Sequence, residues 1–120
     1  MEAGQALLVG DDFGLDDTVW LTPAHGHTPG HCCVNICSGG KRAVVSGDLM
    51  HHALQCREPD WSTIFCVDPA MAASSRRAFL GSVADTDTLV LPVHFPAPTA
   101  GRIEADGDRF RYRFVHETSL

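Results

Sequence analysis

The sequence predicts an α+β fold, mostly strands in antiparallel or mixed arrangement with one long helix. Three observations carry this: a hairpin signal across residues 31–46, a capped helical repeat that begins at Asp68, and a closing hairpin whose aromatic residues alternate.

In chain order, Gln5 to Val9 and Val19 to Thr22 are short, apolar and β-prone, and the acidic, glycine-containing stretch Gly10 to Asp17 reads as a loop between two strands. After the loop Pro23 to Gly30, His31 to Cys37 is rich in β-formers. Ser38-Gly39-Gly40-Lys41 then turns the chain into a second run, Ala43 to Ser46. Regularity breaks at Gly47-Asp48, and the stretch through His51, His52, Gln55, Pro59, Asp60 and Trp61 has no sustained period. At Asp68-Pro69 a carboxylate can cap free backbone amides, and proline's missing donor is harmless at the first helical position. Ala72, Phe79, Leu80 and Val83 follow at helical spacing, which predicts a helix over about Asp68 to Ala84. Thr88 to Pro92 is a short strand that ends in Val93-His94-Phe95-Pro96. Arg102 to Ala105, the turn Asp106-Gly107-Asp108 and Arg109 to Phe114 form the last hairpin, with Phe110, Tyr112 and Phe114 on one face.

A chain of 120 residues is long enough for a single domain, and 44% hydrophobic with 20% charged residues is a globular composition. The net charge of −6 and the lack of a basic cluster argue against nucleic acid as a partner. The longest apolar runs, such as Ala6 to Val9, are far short of the roughly 20 residues that cross a bilayer. No membrane association is expected, and the reading is a soluble, cytoplasmic protein. Five cysteines without C-x-x-C spacing read as reduced structural thiols rather than a zinc-thiolate cluster.

The chemistry concentrates at loops. Pro23 to His31 places His25, His27 and His31 among glycines and prolines directly before a strand, in a loop constrained enough to aim metal ligands. A solvent-facing turn explains the same residues equally well. Asp48 and His94 then each follow a strand end. A carboxylate and imidazoles are donors that zinc or iron accepts, although Asp48 alone could cap a turn and His94 could pack beneath the prolines.

The segments Gly26-His27-Thr28-Pro29-Gly30-His31, strand-Gly47-Asp48 and the late His94-Phe95-Pro96 resemble the later metal-binding motifs of the metallo-β-lactamase superfamily, in the family's order. Gly47-Asp48-Leu49-Met50-His51-His52, Gln55 ahead of Pro59-Asp60-Trp61, and Ser75-Arg76-Arg77 add a likeness to its lactonase-like and organophosphate-hydrolase-like branch. The resemblance spans nearly the whole chain, 1–120, and implies one domain that forms half of a four-layer αββα sandwich. It further implies His27 on one metal, His94 on the other, and Asp48 bridging both. The ions would be zinc, with iron or manganese as alternatives, and they would activate a shared water against an ester, lactone or related bond. His25 and His31 match no metal position. His52, Gln55, Trp61 and Phe95 are candidate pocket or supporting residues, whereas His51 reads as a polar turn residue and an aromatic such as Phe95 can equally be core.

The family's H-x-H-x-D-H motif has no counterpart in the chain. With Asp48 shared, each metal would have two protein ligands, where a catalytic zinc site usually has three plus water, so weak metal binding is expected. A single half would also expose the sheet face meant for the other. The expectation is a fragment, a truncated product, or a chain that pairs with a complementary N-terminal half or with a second copy. Its role would be a small-molecule hydrolase half, or else a non-catalytic half-domain. A di-iron oxidoreductase is a third reading.

Overall fold

The computed structural model describes residues 3–116, and its order of elements is β1 (Val19–Pro23), β2 (Cys32–Ser38), β3 (Lys41–Gly47), α1 (Leu54–Arg57), α2 (Pro69–Val83), β4 (Leu89–Pro92), β5 (Gly101–Asp106) and β6 (Arg109–Phe114). The strands form one six-stranded sheet in sequence order, β1-β2-β3-β4-β5-β6. Every neighbouring pair is antiparallel except β3 with β4, which run parallel. The parallel pair needs a crossover, and α2 supplies it.

The β2–β3 hairpin closes where expected. Gly39 and Gly40 have φ of +57° and +76°, the left-handed pair that a two-residue hairpin turn requires. Asp68 caps α2 by accepting from the Met71 N–H at 2.9 Å, and Pro69 occupies the first helical position. The helix buries Leu80 and Val83 against Val44, Val90 and Ile103, which lie on one face of the sheet. α1 packs against β6 and adds Cys56 to the same core.

The strand expected at Gln5 to Val9 is absent. The outer edge of β1 is taken by residues 13–15, which fold back so that Leu21 N–H donates to Phe13 O at 2.8 Å and Leu15 N–H to Val19 O at 2.9 Å. That leaves Leu7 and Leu8 without a partner edge, and they are 78% and 81% exposed. The short helix α1 was not anticipated either.

Among the described residues no helix or strand covers the second face of the sheet. By register, Leu21, Val34, Ile36, Val45, Leu89 and Leu91 point to that side, all of them half-buried. Toward β5 and β6 the same face becomes charged, with Arg102, Glu104, Arg111 and Arg113. Among the described residues no helix is long and apolar enough to cross a membrane.

Arg76 of α2 is fully buried. Its Nε donates to Leu49 O at 2.8 Å, and its Nη1 donates to Trp61 O at 3.0 Å and to Pro59 O. Burial pulls the guanidinium below its ordinary pKa, yet it stays a cation, and its charge satisfies the carbonyls of an otherwise irregular loop. Arg76→Met is expected to destabilise the fold by about 3 kcal/mol, because those carbonyls lose a charged donor without access to water. A lower urea midpoint at unchanged slope would register the loss.

Candidate metal centre

The parallel pairing explains why Asp48 and His94 meet. β3 and β4 end side by side with Gly47 opposite Pro92, so the residues just beyond them emerge at one edge of the sheet. A register shift between Val45 and Gly47, together with φ of +54° at Gly47, turns the chain sharply there. β2 is antiparallel to β3, so the loop that precedes β2, with His27, opens at the same edge.

The loops that carry His27 and Asp48 are held from beneath. Ala24 and His31 close the first loop by an Ala24 N–H to His31 O bond of 2.9 Å, and Gly26 lies directly against the start of α2. A side chain at Gly26 would place its Cβ 2.1 Å from Ala72 N, and its φ is +130°, so only glycine fits. Asp68 N–H donates to Gly26 O at 2.9 Å, Val67 N–H to His27 O at 3.0 Å, and Ser75 Oγ to His25 O at 2.7 Å. His31 joins two loops: its Nδ1 pairs with Ala24 O at 2.9 Å, and its Nε2 accepts from the Asp48 N–H at 2.9 Å. These bonds fix the tautomer, with the proton on Nδ1. Burial pushes the His31 imidazole below its ordinary pKa, which favours the neutral ring that this pairing needs.

Within that frame the expected trio converges. His27 Nε2 lies 3.5 Å from Asp48 Oδ2, and His94 Nε2 bonds to Asp48 Oδ1. The His94 bond holds the Asp48 carboxyl below the usual carboxylate range, outweighing a smaller opposing effect of burial. The 3.5 Å separation matches the roughly 3.4 Å edge of a tetrahedron with bonds of about 2.0–2.1 Å to zinc. His27 is largely buried, whereas the side chains of Asp48 and His94 are 39% and 46% exposed, so the edge opens to solvent.

His51, read from sequence as a turn residue, stands inside this cluster. Its ring is 5.2 Å from that of His27 and stacks on that of His94 at 4.6 Å with planes 10° apart. One ligand atom each from His27, Asp48 and His51 lie within 4.8 Å of one another. Burial, then the neighbouring His94 and His27, pushes the His51 pKa down and keeps the ring a neutral donor of electron pairs.

The other candidates fall around the cluster rather than in it. His52 is exposed, and its Nδ1 accepts from Leu54 N–H at 3.1 Å at the start of α1. Gln55 is buried: its Oε1 accepts from the backbone of His51 at 2.6 Å and of His52 at 3.2 Å, while its Nε2 donates to Trp61 O at 2.7 Å. It braces the loop from below. Trp61 is 59% exposed and contributes its carbonyl to Gln55 and Arg76. Phe95 takes the core role, at 5% exposure, edge-to-face with Tyr112 at 4.9 Å. His25 pairs with Asp11 at 3.0 Å. A groove of about 590 Å³ is lined by Ile36, Ala43 and Leu89 on the open sheet face, away from the cluster.

Cys66 carries a role that its sequence context did not signal. Its Sγ is 3.6 Å from His27 Nδ1 and 3.8 Å from Thr63 Oγ1. A metal-ligating histidine ordinarily donates its second ring N–H to a carboxylate or carbonyl, which fixes the tautomer and raises basicity. A thiol is a weak acceptor in that place. Cys66→Asp is therefore expected to raise zinc affinity about ten-fold and Cys66→Ala to lower it by a similar factor, read by competition with a chromophoric chelator. Equal affinity in both variants would show that the thiol does not position His27.

The family model described as the metallo-beta-lactamase superfamily matches residues 2–94. No curated protein matches the chain. Among solved structures it is similar to AidC, a dizinc quorum-quenching lactonase, at 28% identity and a TM-score of 0.82, over 90% of this chain and 37% of that one. It is also similar to the hydrolase AbOPH, at 24% identity and TM-score 0.79, over 89% and 36%. A probable metal-dependent hydrolase from Staphylococcus aureus matches at 20% identity and TM-score 0.74, over 98% and 42%. The chain thus spans roughly two-fifths of the length of these proteins, and the last two likenesses speak to the fold alone.

Proposed function

We propose that this chain, which belongs to the metallo-beta-lactamase superfamily, contributes half of a hydrolytic metal site, with His27, Asp48 and His94 as ligands and an ester, lactone or related bond as substrate. The observation that carries the reading is the meeting of those side chains at one sheet edge, with His27 Nε2 and Asp48 Oδ2 at ligand spacing of 3.5 Å. Two imidazoles and a carboxylate suit zinc first, and also iron or manganese. A metal held there acidifies water and polarises a carbonyl or phosphoryl oxygen.

The chain's own residues prepare that chemistry. Cys66 faces His27 Nδ1, which leaves Nε2 directed at Asp48. His31 anchors the Asp48 backbone N–H at 2.9 Å, which fixes the point from which the carboxylate projects. Asp48 and His94 face the solvent side, where a substrate oxygen would approach.

The open sheet face supports a pairing requirement. Contiguous apolar surface such as that of Val34, Ile36, Val45 and Leu91 is covered in stable proteins. A complementary N-terminal half would cover it and bring further ligands. The same face favours a second reading, a homodimer without catalysis.

Zinc titration by calorimetry, sedimentation, and turnover of N-acyl homoserine lactone and aryl ester substrates test these readings, with and without a supplied N-terminal half from a lactonase relative. The expected outcome is turnover only in the reconstituted, zinc-loaded complex, reduced at least about 100-fold by Asp48→Ala, the order that loss of a positioned catalytic group costs. Absence of turnover in the metal-loaded complex would sink the hydrolase reading. A stable dimer without zinc uptake would favour the second.

A further inference from the structure

We infer that His51 is a metal ligand, which completes with His27 and Asp48 a three-donor, single-ion site built wholly from this chain. The inference rests on the metal-binding reading above but departs from its ligand set, in which His94 and not His51 was the third donor.

The first support is geometric. The three ligand atoms already lie within 4.8 Å of one another with no ion between them. Tetrahedral zinc would want edges of roughly 3.4 Å. His27 and Asp48 nearly meet that at 3.5 Å, and His51 lies within the 4.8 Å limit of both.

The second is chemical. His51 Nδ1 is enclosed and pairs with no partner among the described residues. Buried polar atoms in folded proteins are nearly always satisfied, and those that are not often mark a place where a ligand or ion binds. His31, which matches no metal position, has both ring nitrogens satisfied, by Ala24 O and by the Asp48 N–H. His51 differs from it, and unlike His25, which lies beside Asp11, it stands within the cluster.

The third is support from below. Gln55 Oε1 holds the His51 backbone N–H at 2.6 Å, and Arg76 Nε holds Leu49 O at 2.8 Å. Both holding groups are buried, so the loop that presents His51 is fixed before any ion arrives. Pre-positioned donors of this kind are what metal sites require. Two imidazoles and a carboxylate on one side leave coordination positions open, a set suited to one divalent transition ion. The exposed His94, stacked on His51, then becomes an outer partner of the Asp48 carboxylate rather than a necessary ligand.

The test is titration of the chain with Co2+, followed by visible absorption, and with Zn2+, followed by calorimetry, for the wild type, His51→Ala, His94→Ala and His27→Ala. The inference expects one ion per chain in the wild type. His51→Ala should weaken binding by more than the 10- to 100-fold that a merely supporting group contributes, and it should change the cobalt band shape. His94→Ala should retain one ion with a smaller loss. Binding and spectrum unchanged in His51→Ala but lost in His94→Ala would overturn the inference and leave the earlier ligand set standing. Uptake unaffected by His27→Ala would overturn both, and so would no uptake by the wild type, unless the reconstituted complex binds metal, in which case only the inference falls. If His51→Ala does not fold, NMR of the Co2+-loaded wild type with labelled histidine decides: His51 ring protons must be strongly hyperfine-shifted, and their unshifted resonance in loaded protein would refute ligation.

Discussion

The parallel pairing of β3 with β4 constrains everything at the candidate site. Parallel neighbours cannot be joined by a tight turn, so the chain must leave the end of β3, cross a face of the sheet and return to start β4. Both strands then finish at the same edge, and the loops beyond them are forced together there, in the place where open sheets with crossover helices generally bind ligands. Asp48 and His94 are 46 residues apart in sequence and in direct contact for this reason. The antiparallel β2 brings His27 to the same edge by the opposite route, from the start of a strand rather than its end.

The crossover helix does more than return the chain. Its first two turns serve as a template for two of the loops around the cluster. Ala72 receives Gly26 at backbone contact, Ser75 holds His25 O, and Arg76 gathers the carbonyls of Leu49, Pro59 and Trp61. Alanine at position 72 is small enough for the first contact, serine donates to a single carbonyl, and arginine reaches the third set from two separate nitrogens, Nε and Nη1. A change in this part of α2 would therefore be felt at the edge that carries His27 and Asp48.

Much of this was legible in the sequence where a local rule fixes the outcome. The glycine pair at 39–40 dictates its turn, Asp68-Pro69 starts the helix, and the alternating Phe110, Tyr112 and Phe114 define the last strand. The trio His27, Asp48 and His94 was legible because ordered motifs resembled a known family. Illegible features depend on tertiary competition. Gln5 to Val9 has strand propensity but finds the β1 edge already occupied by residues 13–15. Phe95 could have been pocket or core, and only the aromatic neighbours Tyr112 and Phe114 decide it. His51 and His52 are adjacent and chemically identical, yet one ring stacks on His94 inside the cluster while the other lies at the surface and accepts from Leu54 N–H.

That divergence bears on how much of a metal centre one chain can hold. An argument from family ligands alone divides His27, Asp48 and His94 between two ions and leaves each ion short of donors. The loops favour another grouping, because the one braced by the buried Arg76 and Gln55 presents His51 rather than His94. His94 sits on a loop after β4 with nearly half of its side chain exposed, and its ring is held by the Asp48 carboxylate and by stacking on His51. Hydrogen-bonded support from buried groups therefore reaches the loops of His27, Asp48 and His51 first. A centre built on the first three draws on order that this chain already possesses, whereas one built on His94 depends on whatever covers the open face of the sheet and its edge.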